Sequence, residues 1–197
     1  SFRWLRPNSL IWRYMVNGYL YGEEPPPMDV LQWNMDSTRL PRAMHRFYLR
    51  EFYLKNRLVQ PDAVTLAGRP IDLGRIRAPL YAIGAEQDHI APWKETFKIA
   101  ANVGGPVHYT LATSGHILGI LSPPVDPPKR RYWSGDATGA SDPEAWRAGI
   151  EKVPGSWWQD WTGWLGEQCG SEVPARQPGS AAYPVLDAAP GRYVRED

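Results

Sequence analysis

Two short motifs in the middle of the sequence contain the residue types of an acid–base pair. Asp88 lies in segment 84–89 (Gly-Ala-Glu-Gln-Asp-His) and His116 lies in segment 113–116 (Thr-Ser-Gly-His), and each segment follows an apolar, strand-like run. A carboxylate that accepts a hydrogen bond from an imidazole fixes its tautomer and stabilises the imidazolium that forms during catalysis. The two motifs therefore predict the last two members of a nucleophile–acid–histidine triad.

The nucleophile comes first in triads with this chain order, yet no segment before Asp88 has the pattern of a nucleophile elbow. Cys169 is the only cysteine, and it follows His116. Glu167 also occupies a position where an elbow needs a small residue. We therefore interpret Cys169 as a bystander. The sequence predicts the C-terminal part of a larger enzyme, which is inactive alone because its nucleophile is missing.

Apolar runs around the two motifs predict an α/β fold. Residues 79–83 and 107–111 have the nearly continuous apolar pattern of buried parallel strands, and residues 93–103 have a helical pattern. Together they form a βαβ unit. Parallel strands lie about 4.8 Å apart, and functional groups gather beyond their carboxyl ends. We therefore expect Asp88 to meet His116.

Further elements are predicted on both sides of this unit. A helix is expected from about residue 43 to 57, and residues 64–73 alternate like a small hairpin. Residues 156–168 predict a tryptophan-rich helix that docks through one wide face.

The candidate residues also have structural interpretations. Asp88 could be a turn former or a helix N-cap, and the Ser-Gly-His sequence could be a plain turn. His108 falls inside a predicted strand, which favours a structural role, whereas His45 lies on a predicted helix and is expected to face solvent.

Composition argues against several functions. The chain of 197 residues has 22 Lys and Arg against 21 Asp and Glu, so nothing favours nucleic-acid binding. No apolar run approaches the roughly 20 residues of a membrane span. The histidines are scattered, which predicts no metal site, and no nucleotide-binding glycine motif is present. We expect a soluble cytoplasmic protein.

Six segments in the same order resemble poly(3-hydroxyalkanoate) synthases, and they cover almost the whole chain. They include Asp-His-Ile-Ala-Pro-Trp and Pro-Gly-Ser-Trp-Trp, and they comprise residues 5–8, 33–41, 88–93, 114–117, 154–158 and 189–194. The resemblance is closest to the class I synthases, which use short-chain substrates.

The resemblance implies the C-terminal part of an α/β-hydrolase fold, with a mostly parallel sheet flanked by helices and the end of a cap subdomain. On this basis residues 1–46 correspond to the end of the cap. Residues 47–170 correspond to the C-terminal part of the catalytic core, and residues 171–197 form an extended tail.

The resemblance also implies a Cys–His–Asp triad whose acid and histidine match Asp88 and His116. The family's cysteine would precede Ser1. Arg6 and His89 match positions that contact CoA, and Trp33 matches a cap position near the active-site entrance.

The implied reaction is polymerisation of (R)-3-hydroxyacyl-CoA with release of CoA. No separate cofactor is expected because the CoA thioester is the substrate. The other implied partners are the growing polyester chain, the surface of a cytoplasmic polyester granule and a second copy of the enzyme in a homodimer.

Two other functions stay open. A serine-type α/β-hydrolase, such as an esterase or depolymerase, would use the same acid and base, and the residue at the missing elbow would distinguish it. A non-catalytic granule-binding chain would account for the ten tryptophans and the absent nucleophile.

Overall fold

The computed structural model describes residues 11–13, 15–24, 39–188 and 191–192, in two compact units, Ser1–Asn56 and Arg57–Asp197. The first unit contains a π-helix, Met15–Leu20, and helix α1, Arg42–Phe47, which continues as π-helix over Tyr48–Leu54. The helix predicted near residues 43–57 is thus confirmed. The expected domain boundaries at residues 46 and 170 stay predictions, and Arg6 and Trp33 lie outside the described residues.

The second unit begins with a 3-10 turn, Arg57–Val59, and the predicted hairpin. Strands β1 (Val64–Leu66) and β2 (Arg69–Ile71) pair antiparallel. Ala67 and Gly68 connect them with φ of 49° and 76°. Two successive positive φ values are typical of the tight turn whose twist matches that of paired strands. Another 3-10 turn, Leu73–Arg75, follows.

A four-stranded sheet forms the centre of this unit. Its order is β3 (Leu80–Ala85), β4 (Val107–Ala112), β5 (Arg131–Asp136) and β6 (Val153–Pro154). Strands β3 and β4 pair parallel, as the predicted βαβ unit requires, whereas β4–β5 and β5–β6 pair antiparallel. The expectation of a mostly parallel sheet is therefore wrong for the described strands, because the chain returns after β4 through a long loop instead of a second crossover helix.

Four helices accompany this sheet within the described residues. Helices α2 (Trp93–Phe97) and α3 (Ile99–Asn102) form the β3–β4 crossover. Helix α4 is Pro143–Ala148, and the carboxylate of Asp142 caps its first two amides. Helix α5 is Trp157–Cys169, with the Ser156 hydroxyl as its cap. No described helix is both long enough and apolar enough to cross a membrane, and residues 170–188 contain no helix or strand.

Side chains alternate between the two faces of the sheet, and the faces differ in chemistry. One face carries an aromatic core in which the Tyr109 ring lies 4.9 Å from Phe97 and 5.2 Å from Trp146, measured between centroids. The opposite face carries a polar cluster beneath α5. The Asp160 carboxylate accepts hydrogen bonds there, and the cluster consists of Tyr81, His108, Thr110, Ser134 and Asp160.

Candidate active site

The loops that carry Asp88 and His116 are joined through their backbones. Beyond the end of β3, the Glu86 amide donates to the Ala112 carbonyl at 2.8 Å and the Gln87 amide donates to the Ser114 carbonyl at 2.9 Å. These bonds continue the parallel β3–β4 pairing past the strand ends. The two candidate side chains therefore lie side by side beyond the carboxyl ends of β3 and β4.

Asp88 and His116 form a direct hydrogen bond. His116 Nδ1 lies 2.8 Å from Asp88 Oδ2. Asp88 Oδ1 accepts the backbone amides of Ile90 at 2.8 Å and Ala91 at 2.9 Å. Asp88 is thus both a turn former, as its structural interpretation proposed, and the partner of the imidazole. It does not cap α2, since Pro92 holds that position.

Opposing effects act on the pKa of the Asp88 carboxyl. Burial is the largest effect and raises the pKa, but the hydrogen bonds from the Ala91 amide, the His116 imidazole and the Ile90 amide together outweigh it. The net result is a pKa below the ordinary value of 3.8. Asp88 is therefore ionised near neutral pH, and an ionised carboxylate can only accept. Nδ1 of His116 must carry the proton, which leaves the lone pair of a neutral imidazole on Nε2.

The two side chains differ in exposure. The Asp88 side chain is 6% exposed and that of His116 is 44% exposed. The loop between β4 and His116 contains Ser114 at φ 92°, in the region that favours glycine. The hydrogen bond from Gln87 to the Ser114 carbonyl holds this conformation. A buried acceptor behind an accessible imidazole is the arrangement of the acid and base in a catalytic triad.

The other residues singled out in the sequence lie apart from this pair or beside it. His89 is exposed and follows Asp88 directly, and Cys169 is exposed at the last position of α5. His45 is exposed on α1, and His108 stays within β4, where Nε2 contacts Ser134 and Asp160. Among the described residues, no group of three or more His, Cys, Asp or Glu is arranged to hold a metal ion.

Sequence reasoning missed Arg147, which supports the Asp88 loop. One nitrogen of its guanidinium lies 2.5 Å from Glu86 Oε1, two residues before Asp88. The guanidinium carbon lies 4.2 Å from the centroid of the Trp133 ring, within cation–π range. No motif marked this contact, because Arg147 lies on α4 and reaches Glu86 only through the tertiary fold.

The tryptophans of α5 contact the loop that carries His116. The indole nitrogen of Trp157 donates to the carbonyls of Gly119 and Ile120, at 3.1 and 3.2 Å, and that of Trp158 donates to the Ile120 carbonyl at 3.1 Å. The Ser156 hydroxyl also donates to the Ser122 carbonyl. The sequence predicted a docked tryptophan face, but it did not indicate where that face docks.

Comparison with known proteins identifies the family. The chain is 44% identical over 99% of its length to poly(3-hydroxyalkanoate) polymerase 1 of Ectopseudomonas oleovorans. It is 46% identical to the poly(3-hydroxyalkanoate) polymerase of Methylorubrum extorquens, and 43% identical to the poly(3-hydroxyalkanoate) polymerase subunit PhaC of Cupriavidus necator, each over 99% of the chain. The chain belongs to the poly(3-hydroxyalkanoate) polymerase family.

Membership in the polymerase family confirms the resemblance seen in the sequence. The chain spans about one third of the length of these relatives, with 34%, 32% and 33% of each covered. No protein-family model matches the chain.

Proposed function

We propose that this chain supplies the acid and the base of a polymerase that joins (R)-3-hydroxyacyl units from CoA thioesters into a polyester and releases CoA. The observation that carries the proposal is the 2.8 Å contact between His116 Nδ1 and Asp88 Oδ2. In this proposal the chain is the C-terminal part of an α/β-hydrolase catalytic core. The nucleophilic cysteine belongs to an elbow upstream of Ser1, which makes the 197-residue chain inactive alone.

The first half of the proposed cycle transfers the acyl group to the enzyme. Nε2 of His116 takes the proton of the cysteine thiol, and the thiolate attacks the carbonyl carbon of the acyl-CoA thioester. The bond to the CoA sulfur breaks, and the imidazolium returns the proton to that sulfur. One thioester replaces another, so the acyl group stays activated for the next step.

The second half extends the polyester. A 3-hydroxyl group attacks the carbonyl carbon of the acyl thioester while His116 takes the hydroxyl proton as general base. An ester bond forms, the bond to the cysteine sulfur breaks, and the imidazolium returns the proton to that sulfur. Both oxygens of Asp88 already accept hydrogen bonds, and its lowered pKa makes it a weak base. These properties support Asp88 as the partner that stabilises imidazolium, with His116 as the group that moves the proton.

The remaining assignments are part of the same proposal. Arg6 and His89 contact CoA, and the exposed position of His89 beside Asp88 supports its share of that role. The water-insoluble polyester stays bonded to the enzyme during growth, which would keep the protein at a granule surface in the cytoplasm. The active form is proposed to be a homodimer.

A histidine substitution tests the proposal in the complete gene product. His116→Gln is expected to lower the rate of CoA release from (R)-3-hydroxybutyryl-CoA about 10²- to 10⁴-fold, the usual range for loss of a general base. His45→Gln, on the exposed surface of α1, is the matched control and should leave the rate unchanged. Turnover at the wild-type rate by His116→Gln would refute the assignment.

A second experiment distinguishes the polymerase from a serine hydrolase. Cys169 is exposed and would react with iodoacetamide, so the complete protein should carry Cys169→Ser. The polymerase proposal predicts that iodoacetamide still abolishes CoA release and that substrate protects against it. Inactivation by a serine-directed fluorophosphonate, with resistance to iodoacetamide, would instead support the hydrolase.

A further inference from the structure

The turn that carries His116 ends in backbone carbonyls that need partners. Residues 115–121 form a helical turn in which the Gly119 amide donates to the Gly115 carbonyl and the Leu121 amide donates to the Ile117 carbonyl, both at 2.8 Å. The last carbonyls of such a turn have no α-helical partner within it, although the Ile120 carbonyl accepts the amide of Ser122, just beyond the turn, at 3.0 Å. The indole N–H groups of Trp157 and Trp158 supply partners for those of Gly119 and Ile120.

The same turn is fixed on its other side by the end of β3. A Cβ atom built on Gly119 would lie 2.5 Å from the Ala85 Cβ and 2.8 Å from the Gly115 carbonyl oxygen. Gly119 is therefore packed directly against Ala85, three residues before Asp88. The turn lies between the strand that leads to Asp88 and the first residues of α5.

Helix α5 is in turn held to the sheet by a charged acceptor. Asp160 Oδ2 accepts from the Tyr81 hydroxyl and the Ser134 hydroxyl, both at 2.7 Å, and lies 3.0 Å from His108 Nε2. The Trp157 ring also lies 6.2 Å from the Tyr81 ring. The first turns of α5, and with them the Trp157 indole, are thus tied to the sheet.

We infer that Trp157 and Trp158 are positioning residues, whose indole N–H groups hold the backbone at residues 119–120 and thereby keep the His116 imidazole in contact with Asp88. This inference rests on the proposed function for its effect on turnover, but the imidazole contact can be measured without turnover. Both residues would act through the backbone of the His116 turn and not on the reacting atoms.

The test replaces each indole by a ring that lacks the N–H group. Trp158→Phe, Trp157→Phe and the double variant are made in the complete protein. The double variant is expected to lower kcat about 10- to 100-fold with KM unchanged, since a misplacement of about 1 Å can cost roughly that much in rate. The proton on His116 Nδ1 should give a far-downfield NMR resonance, which is assigned by its loss in His116→Gln. In the double variant this resonance should broaden or disappear.

Trp146→Phe provides the matched control. Its indole also donates to a backbone carbonyl, that of Asp136 at 3.0 Å, but it lies on the opposite face of the sheet. We expect this variant to retain the Nδ1 resonance and the wild-type kcat. Loss of both in Trp146→Phe would mean that any lost indole bond disturbs the site, and would overturn the inference.

A shape-preserving substitution distinguishes loss of the N–H group from misfolding caused by a smaller ring. Benzothienylalanine has the outline of tryptophan with sulfur in place of N–H, and at positions 157 and 158 it should reproduce the effects of phenylalanine. If the protein with benzothienylalanine at both positions keeps the Nδ1 resonance and a kcat within twofold of wild type, the inference is overturned. If His116→Gln proved fully active, the proposed function would fail, while the resonance would still decide whether the indoles position the imidazole.

Discussion

The two faces of the central sheet hold their helices by different means. On one face Phe97, Tyr109 and Trp146 are buried and interlock as rings, which gains free energy by removing apolar area from water. On the other face Asp160 holds α5 through directional hydrogen bonds, and no residue of α5 is fully buried. The aromatic face supplies stability, whereas the polar face fixes the position of one helix.

The inference about Trp157 and Trp158 makes the site depend on the face that buries less. The His116 turn contacts α5, which is held on the sheet by directional polar pairs and by ring contacts of Trp157 and Trp164 with Tyr81. An apolar interface tolerates small shifts more easily, because the hydrophobic effect is not directional. Damage to the aromatic face should therefore affect unfolding, and damage to the polar face should affect the local arrangement around His116.

The largest effect is expected from truncation in the aromatic core. Phe97 is 1% exposed, so Phe97→Ala should lower the free energy of unfolding of the chain by about 3–5 kcal/mol. Urea denaturation followed by tryptophan fluorescence measures this. The exposed Tyr53→Ala serves as the control and should change it little. A loss below about 1 kcal/mol in Phe97→Ala would contradict the role given to this face.

A smaller effect is expected from the polar face. Asp160→Asn keeps the shape of the side chain but replaces its charged acceptor. It should lower the free energy of unfolding by about 1–3 kcal/mol, the range for leaving partly buried donors poorly paired. Asp142→Asn is the matched control, because Asn caps a helix about as well as Asp. Equal losses in the two variants would mean that the Asp160 cluster has no special part in holding α5.

The titration of Tyr81 sharpens this result. Burial is the main reason that the pKa of Tyr81 is raised, and the charge and hydrogen bond of Asp160 raise it further. Asp160→Asn should therefore lower the pKa of Tyr81 while leaving it above the ordinary value of 10.0. Tyrosinate absorbance during alkaline titration, with Tyr81→Phe to identify the signal, gives the measurement. An unchanged Tyr81 titration would show that the two groups are not coupled.

The sequence allowed the parallel core of the site to be predicted, because its signals are local. The strands before Asp88 and His116 are continuous apolar runs, and the chain order and the intervening helix place their ends together. Strand β5 was missed because Arg131–Asp136 begins with a charge and contains Ser134 and Gly135. Its pairing with β4 is reached only after a long, proline-rich loop, which lacks the short turn of a tight hairpin.

The supports of the site could not be predicted for a different reason. The indoles of Trp157 and Trp158 bind backbone carbonyls, and a carbonyl belongs to every residue, so no residue type marks the partner. Arg147 meets Glu86 from another helix in the same way. Residue type alone allows many partners for each of these side chains, and only the tertiary fold selects one.

The smallest expected effect is the pH dependence contributed by Asp88. Its folded-state pKa lies below 3.8, so between the folded and unfolded pKa values the unfolded chain binds more protons and stability rises with pH. The contribution is fully present above the unfolded pKa and is lost as pH falls through the folded pKa. The difference in unfolding free energy between wild type and Asp88→Asn should therefore shrink as the solution is acidified through that window.

In a His116→Gln background one of the bonds that lower the pKa of Asp88 is gone, and the same difference in unfolding free energy should shrink less steeply. A difference that stays constant with pH in both backgrounds would mean that Asp88 titrates alike in the folded and unfolded chain, and that its charge is not held by the contacts that orient the imidazole.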